Sequence, residues 1–347
     1  MNELSKQILE LVESSRNRIA GAVNFEMLAT YFEIGRLLII DKQHGSKRAN
    51  YGENTLIQVS KDLTVKLGRG FSVQNLERMR NFYLFYSNSS NHLRKSEQLE
   101  NSSIHLRNSS GETVPILPLS WSHYLFLMRI ENPLERSFYE IESFKNQWKQ
   151  KDLERQFNTG LFERIALSKN KLEVLKLAVE GQKIEKPTDL IKEPLVLEFL
   201  GLEEKTSFSE TDLETKIIND IEKFMLELGK GFFFGGRQVR FSLDEDHFYV
   251  DLVFYNRILQ CFVLIDLKIG KLSHQDLGQM QMYVNYYDRF VKEAFENPTI
   301  GVILCKNKNE NLVEITLPKE NTQIYASKYS TILPDKKALK EILNHYF

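Results

Sequence analysis

The sequence predicts an α+β protein with an all-helical N-terminal domain, residues 1–180, and a C-terminal α/β domain with a mixed sheet, residues 181–347. Three observations carry this expectation. Apolar residues recur at helical spacing through most of the first half. In the second half a helical run is followed by three strand-like runs, a helix and a further apolar strand, the order of an α/β unit with a mixed sheet. Between the halves, Lys183-Ile-Glu-Lys-Pro187 and Lys192-Glu-Pro194 break the helical pattern and read as a connection.

A chain of 347 residues suits two domains, each with enough apolar content for a sizeable core. Its formal net charge of -1 gives no global signal for nucleic acid or membrane. The two cysteines, Cys261 and Cys305, each sit inside an apolar run, so buried reduced thiols are expected rather than a disulfide framework. The first residues, Met-Asn-Glu-Leu-Ser-Lys, lack a basic start and an apolar core, and no apolar run approaches the roughly 18 residues of a membrane span. The expected location is the cytoplasm, with no membrane partner.

From Leu4 to Asp41 the apolar spacing predicts one long or one broken amphipathic helix, with Gly21 and Gly35 marking bends or close helix contacts. A helical run from Asn54 to Leu67, then Gly68-Arg-Gly-Phe71, then Ser72 as N-cap of a helix to about Tyr86, has the outline of a helix-turn-helix. Gln74, Asn75, Arg78 and Asn81 fall on or near one polar face of that second helix. Gln74, Asn75, Arg78 and Arg80 are the candidate nucleic-acid contacts, being types that hydrogen-bond base edges and phosphates. The alternative is a plain helical hairpin with a polar outside.

Residues 87–117 are rich in Ser and Asn, with a loose duplication ending in His-Leu-Arg, and are expected to be a mobile loop. His92 and His105 lack accompanying acids or cysteines, so a solvated pair is expected there and not a metal site. Helices resume at 119–128, from Pro133 through Trp148 and from Lys151 to Phe157; Trp121, His123 and Tyr124 read as core. In the C-terminal half, Leu213 to Gly229 reads as one amphipathic helix. Strands follow at about 232–243, 247–255 and 260–268, a helix at 274–294, strands at Thr299–Cys305 and 322–328, and a helix from Asp335.

The chemistry concentrates in Cys261-Phe-Val-Leu-Ile-Asp-Leu-Lys-Ile269, where an acid and a base lie within an apolar strand. A buried unpaired carboxylate costs several kcal/mol or changes its protonation state. If the preceding turn has two residues (256 and 257) or four (256–259), antiparallel pairing sets odd positions of one strand against even positions of the next. Asp251, Asp266 and Lys268 then share a face, opposite the apolar Phe248, Val250, Leu252 and Phe254. The four-residue turn is favoured, because it sets Asp251 opposite Leu264 and diagonal to Asp266, within reach of a common ligand. Two carboxylates beside an ammonium, without a His/Cys cluster, suit Mg²⁺ or Mn²⁺ rather than Zn²⁺. A structural Asp-Lys pair is the plain alternative. Gln279 and Tyr283, four apart on the next helix, share a face. From there Gln279 can reach a phosphate or a metal's water, and Tyr283 can pack against Lys268.

Asp251, Asp266-Leu-Lys268 and Gln279-x-x-x-Tyr283, in this order of elements, resemble the PD-(D/E)XK nuclease superfamily. Further pieces are Tyr31-Phe-Glu-Ile-Gly35, Gly68-Arg-Gly-Phe-Ser-Val-Gln-Asn-Leu76, Leu119-Ser-Trp-Ser-His-Tyr124, Leu197-Glu-Phe-Leu-Gly-Leu202, Leu226-Glu-Leu-Gly-Lys-Gly-Phe232 and Gly278-Gln-Met-Gln-Met-Tyr283. Together they resemble the bacterial YhcG-type family across nearly the whole chain except the Ser/Asn-rich stretch. The resemblance implies a restriction-endonuclease-like C-terminal domain and metal-dependent phosphodiester cleavage, with Asp251 and Asp266 as metal ligands and Lys268 as the catalytic lysine. Superfamily members often add an acid from the first core helix, for which Glu214 is chosen over Glu222. Val250 stands where the superfamily has proline, and Asp266 where glutamate is frequent.

The expected function is therefore a metal-dependent nuclease acting on nucleic acid, DNA foremost, targeted by the helical domain. One such site per chain makes a homodimer sensible for duplex cleavage. The competing readings are a nucleic-acid-binding or assembly module that keeps the fold with little cleavage, and a helical oligomerisation protein.

Overall fold

A computed structural model of the chain describes residues 3–44, 49–88, 104–107, 113–116, 119–167, 169–202 and 208–346. They form two compact units, Met1–Arg155 with Lys171–Gly181 and Gln156–Asn170 with Gln182–Phe347. The chain thus passes between units at 155, 170 and 181, not once at 180 as the sequence suggests. The reason is local. Residues 156–170 are held by the C-terminal unit: Gln156 Nε2 donates to Leu226 O at 3.0 Å and Arg164 pairs with Glu227 at 2.7 Å.

In the N-terminal unit, α1 (Glu3–His44) is a single helix of 42 residues, followed by α2 (Ala49–Leu67) and α3 (Val73–Asn88). A Cβ on Gly35 would lie 2.2 Å from Met79 O, so only glycine allows α1 and α3 to approach this closely. Gly21 meets nothing within 4 Å and marks no such contact. Ser72 caps α3, its Oγ accepting from Asn75 N at 3.3 Å. The inner face of α3 buries Leu76, Met79, Phe82 and Tyr86. Phe82 lies 5.3 Å from Trp121 and 5.1 Å from Tyr124 between ring centroids. His123 is buried, with Nε2 2.9 Å from Trp148 O, a core histidine as expected.

The stretch expected to be a loop contains a hairpin: β1 (Ile104–Arg107) pairs antiparallel with β2 (Thr113–Ile116). Its register sets Ile104 opposite Ile116 and Leu106 opposite Val114, an alternation masked by the surrounding Ser and Asn. His92 and most of the duplication lie outside the described residues. Helices α4 (Trp121–Leu127), α5 (Pro133–Lys145), α6 (Gln150–Asn158), α7 (Leu161–Ala166) and α8 (Lys171–Glu180) follow.

The C-terminal unit is built on a six-stranded sheet of order β3-β8-β7-β6-β5-β4. The strands are β3 (Leu195–Val196), β4 (Phe232–Leu243), β5 (Asp246–Asn256), β6 (Cys261–Lys271), β7 (Ile300–Asn307) and β8 (Ile324–Ser330). β4, β5 and β6 are antiparallel; β6, β7, β8 and β3 are parallel, so the sheet is mixed. The helix expected over 213–229 is two helices, α9 (Glu210–Asn219) and α10 (Ile221–Leu228), broken at Asp220. Ser209 opens α9 with a capping box to Asp212, three residues earlier than the apolar pattern indicates. Leu213, Ile217, Phe224 and Leu228 pack on Leu252, Phe254, Val263, Ile265 and Val302 of one sheet face. On the other face α11 (His274–Tyr286) packs Leu277, Met280, Tyr283 and Val284 against Phe241, Val250, Val253, Leu264 and Ile303. The helix expected to reach 294 ends its α-helical turns at Tyr286 and passes into a π-turn, Tyr287–Val291. The remaining helices are α12 (Glu310–Thr316) and α13 (Lys336–Tyr346). No helix among the described residues is long and apolar enough to cross a membrane.

Candidate active site at a strand fork

The turn between β5 and β6 has four residues, but they are Arg257–Gln260, one position later than expected. Asn256 is the cause: buried, it donates to Lys230 O at 2.9 Å and accepts from Ile258 N and Leu259 N at 3.0 and 3.1 Å. Its side chain shapes the turn and leaves its backbone as the last ladder position of β5, opposite Cys261. The register moves by two, so the odd-to-even matching is kept. Pairing runs from Asn256 with Cys261 to Leu252 with Ile265, and one further step sets Asp251 opposite Asp266 rather than diagonal to it.

That further step is where the strands part. Beyond Leu252, β5 continues with β4 as far as Asp246, while β6 continues with β7. Asp251 and Asp266 stand on either side of the opening, and Asp251 Oδ2 accepts from Leu267 N at 2.8 Å. A side-chain carboxylate thus takes up a strand N–H freed by the parting. The apolar side of β5 also divides here, contrary to the single face expected: Phe248 and Val250 pack with the α11 core, Leu252 and Phe254 with the α9–α10 core. Across from the break Gln238 adopts a positive φ of 48°, and regular alternation cannot pass through such a residue.

Lys268 Nζ lies 2.9 Å from Asp266 Oδ2, and Glu210 Oε2 is 3.9 Å from the same ammonium. Asp266 is buried, and its Oδ2 takes the Lys268 ammonium as a charge-assisted hydrogen bond. Burial pushes the Asp266 carboxyl up to about 7, with Asp251 adding to the rise and Lys268 opposing it. For Lys268, burial is the largest influence and pulls downward, but Asp266, Glu210 and Asp251 together outweigh it and hold the lysine above its ordinary value. Tyr283 is raised by burial and then by Asp266, so it remains a neutral phenol.

Tyr283 OH donates to Tyr249 O at 2.9 Å and receives the Gln279 amide, which ties the arm of β5 beyond the opening to α11. Gln279 therefore serves Tyr283 directly. Glu214, buried on α9, has Oε1 2.6 Å from Arg237 Nε and Oε2 3.0 Å from Gln238 Nε2. The same Gln238 nitrogen is 2.9 Å from Asp251 Oδ1, so one amide joins Glu214 to the fork. Glu222 is exposed on α10. Gln238, Arg237 and Glu210 are not among the residues expected from sequence. Gly235-Gly236, inside a strand-like run and at a register shift, was the available signal that this strand is irregular. In the N-terminal unit Gln74 and Arg78 are exposed on α3, whereas Asn75 and Arg80 are half-buried. Asn75 is engaged in its own turn, its Nδ2 donating to Gly70 O at 2.9 Å and its Oδ1 accepting from Arg78 at 3.1 Å.

Among the described residues no group of three or more His, Cys, Asp or Glu side chains is arranged to hold a metal ion. The donors at the fork are of the type an oxygen-preferring cation takes: Asp251 Oδ1, Glu214 Oε2 and Asp266 Oδ2. Mg²⁺ commonly binds through one or two carboxylates and completes its shell with water and phosphate, so this open set fits it better than a site built for Zn²⁺.

Residues 188–344 match the YhcG PDDEXK nuclease domain, and residues 7–164 match the DUF1016 N-terminal domain. The chain is 39% identical over 346 residues to a protein of Escherichia coli (strain K12) named "Putative nuclease YhcG", covering 97% of this chain and 92% of that one. The chain belongs to the YhcG family. Its C-terminal unit is accordingly a PDDEXK nuclease domain, with the restriction-endonuclease-like fold that the resemblance implied, and Asp251, Asp266 and Lys268 stand at its fork. Among solved structures it is similar to a repair endonuclease from Pyrococcus abyssi, with 16% identity and a TM-score of 0.26. It is also similar to the protein in an EndoMS-dsDNA2 complex, with 13% identity and a TM-score of 0.26. Each match covers 38% of this YhcG-family chain and spans half the length of the solved chain.

Proposed function

We propose that the chain is a Mg²⁺- or Mn²⁺-dependent nuclease that hydrolyses phosphodiester bonds in DNA, with the N-terminal unit supplying further contacts to the substrate. The observation that carries this reading is the fork itself: the buried Asp266 carboxylate faces a second acid, Asp251, where the strands part, with the Lys268 ammonium 2.9 Å away. Two acids brought together beside one ammonium leave excess negative charge in a buried setting, a cost that a bound divalent cation offsets.

Asp251, Asp266 and Glu214 would hold the cation, the Gln238 amide linking Glu214 to Asp251 in its place. When bound, the cation supplies Lewis-acid polarisation of the scissile phosphate and lowers the pKa of water. Lys268, with 18% of its side chain exposed, orients the attacking water and offsets the negative charge that grows on the phosphate. Tyr283 and Gln279 hold the outer arm of β5, and with it Asp251, at the mouth of the fork. On α3 the exposed Gln74 and Arg78 support a contact to the nucleic-acid backbone, with Arg80 beside them. Cutting both strands of a duplex with one fork per chain would bring two copies together.

The test is cleavage of plasmid, linear, branched and single-stranded DNA, and of RNA, with Mg²⁺ or Mn²⁺. Activity lost in both Asp266→Ala and Lys268→Ala supports the reading. Binding without cleavage by wild type and both variants would replace it with a nucleic-acid-binding module.

A further inference from the structure

Gln238 is placed unlike any other residue of the sheet. It lies within β4 with a φ of 48°, in the left-handed region that glycine tolerates and glutamine seldom adopts. Ladder pairs flank it, Arg237 with Leu252 and Val239 with Val250, so it stands across from Asp251. The result of this costly backbone is a particular aim for the side chain. Nε2 donates to Asp251 Oδ1 at 2.9 Å and to Glu214 Oε2 at 3.0 Å, which spends both protons of the amide.

The far oxygens of both acids are anchored independently. Asp251 Oδ2 accepts from Leu267 N at 2.8 Å, and Glu214 Oε1 accepts from Arg237 Nε at 2.6 Å. Two carboxylates pinned at their outer oxygens therefore converge with their inner oxygens on one nitrogen. Convergent oxygens around one point are what a hard divalent cation requires, and contraction from amide to Mg²⁺ distances, to about 2.0–2.1 Å, is a small movement of anchored groups. The amide and the cation cannot both occupy that point.

We propose that Gln238 gates the cation site, its amide holding Asp251 and Glu214 together in the metal-free protein and leaving when a divalent cation bridges them. The inference rests on the reading of the fork as a cation site. Gln238 is a positioning residue with two consequences. It prevents the two acids from repelling each other when no ion is bound, and it sets a threshold that a cation must exceed to enter.

The experiment is calorimetric titration of the full chain with Mn²⁺, without nucleic acid, beside thermal unfolding with and without Mn²⁺. Gln238→Met keeps the side chain's length and removes the donor. It is expected to bind Mn²⁺ about tenfold more tightly, since hydrogen bonds to charged acceptors no longer have to be broken. Its melting temperature without metal should fall and should recover more on Mn²⁺ addition than that of wild type. General structural damage would weaken binding, so unchanged or weaker Mn²⁺ affinity overturns the gate. Adding Glu214→Gln to Gln238→Met should erase the gain; a gain that persists overturns the bridging of these two acids. If Gln238→Met does not fold, Gln238→Asn, which shortens the reach, should show a severalfold gain, and no gain there overturns the proposal equally. Because no substrate is used, tighter Mn²⁺ binding in a chain that cuts nothing would leave the gate and remove the nuclease reading. Cleavage with unaltered Mn²⁺ affinity would do the reverse.

Discussion

Arg164 with Glu227 and Lys268 with Asp266 are both acid–base pairs of the C-terminal unit, 2.7 and 2.9 Å apart, and they are constructed in opposite ways. The first is sealed, with both side chains fully buried. Glu227 Oε1 also accepts from Val196 N at 3.0 Å, and Arg164 donates to Thr159 O, Pro194 O and Thr159 Oγ1 at 3.0, 2.9 and 3.2 Å. A charge pair whose surrounding donors and acceptors are also paired is a scaffold, because its desolvation is met by fixed partners. The second pair lies at the parting of two strands, with the Lys268 side chain 18% exposed and Asp251 and Glu210 as further acids beside it. Residue types do not distinguish the two pairs. What distinguishes them is their surroundings: fixed neutral donors and acceptors around the first pair, further acids around the second.

The contrast predicts opposite consequences when each pair is broken. Asp266→Ala and Lys268→Ala should each lower cleavage about 10²–10⁴-fold, measured as single-turnover rates, while the folded population is retained. Glu227→Ala should do the reverse. Leaving Arg164 as an uncompensated buried charge costs about 3–5 kcal/mol, read by urea denaturation, while cleavage per folded molecule stays near wild type. If Glu227→Ala abolished activity in protein shown to be folded, or Asp266→Ala unfolded the chain, the distinction between scaffold and site would fail.

A pH series sharpens the contrast further. Burial raises the folded carboxyl of Asp266 to about 7, above an unfolded value of about 3.9. The native state therefore binds more protons through this group than the unfolded state, and linkage makes stability fall with rising pH between those values. The contribution is fully present below the unfolded value and is lost as pH rises through about 7. Metal-free Asp266→Asn, neutral throughout, should lose that slope, so that its melting temperature falls less than that of wild type between about pH 5 and pH 8. An unchanged slope would mean that Asp266 is not the group that is penalised.

Much of the site was legible because strands have a period of two. Setting odd positions of β5 against even ones of β6 survived a turn displaced by one residue, since the register then moved by two and brought Asp251 opposite Asp266 in place of the diagonal position expected. The rest depended on information that periodicity does not carry. Gln238 matters because of a backbone dihedral, and the β5 core face divides across from it. The placement of residues 156–170 depends on Arg164 finding Glu227, 63 positions away, while their apolar spacing looks like any other helix of the first half. The hairpin at 104–116 was hidden for a simpler reason, its four-residue strands being too short to stand out from their Ser- and Asn-rich surroundings.

The smallest effect is expected from charges that belong to neither kind of pair. Arg78 is exposed on α3, donating to Asn75 Oδ1 at 3.1 Å, and Arg80 is half-buried on the same helix. Arg78→Ala with Arg80→Ala should leave the melting temperature nearly unchanged, because exposed arginines contribute little to folding. Their role, if they lie against a phosphate backbone, is electrostatic and independent of sequence. Losing two phosphate contacts should weaken DNA binding similarly on all sequences and reduce the slope of log affinity against log salt by about 2. Binding measured by fluorescence anisotropy over a range of KCl concentrations reads this directly. A slope equal to that of wild type would remove α3 from the interface while leaving the fork and its chemistry untouched.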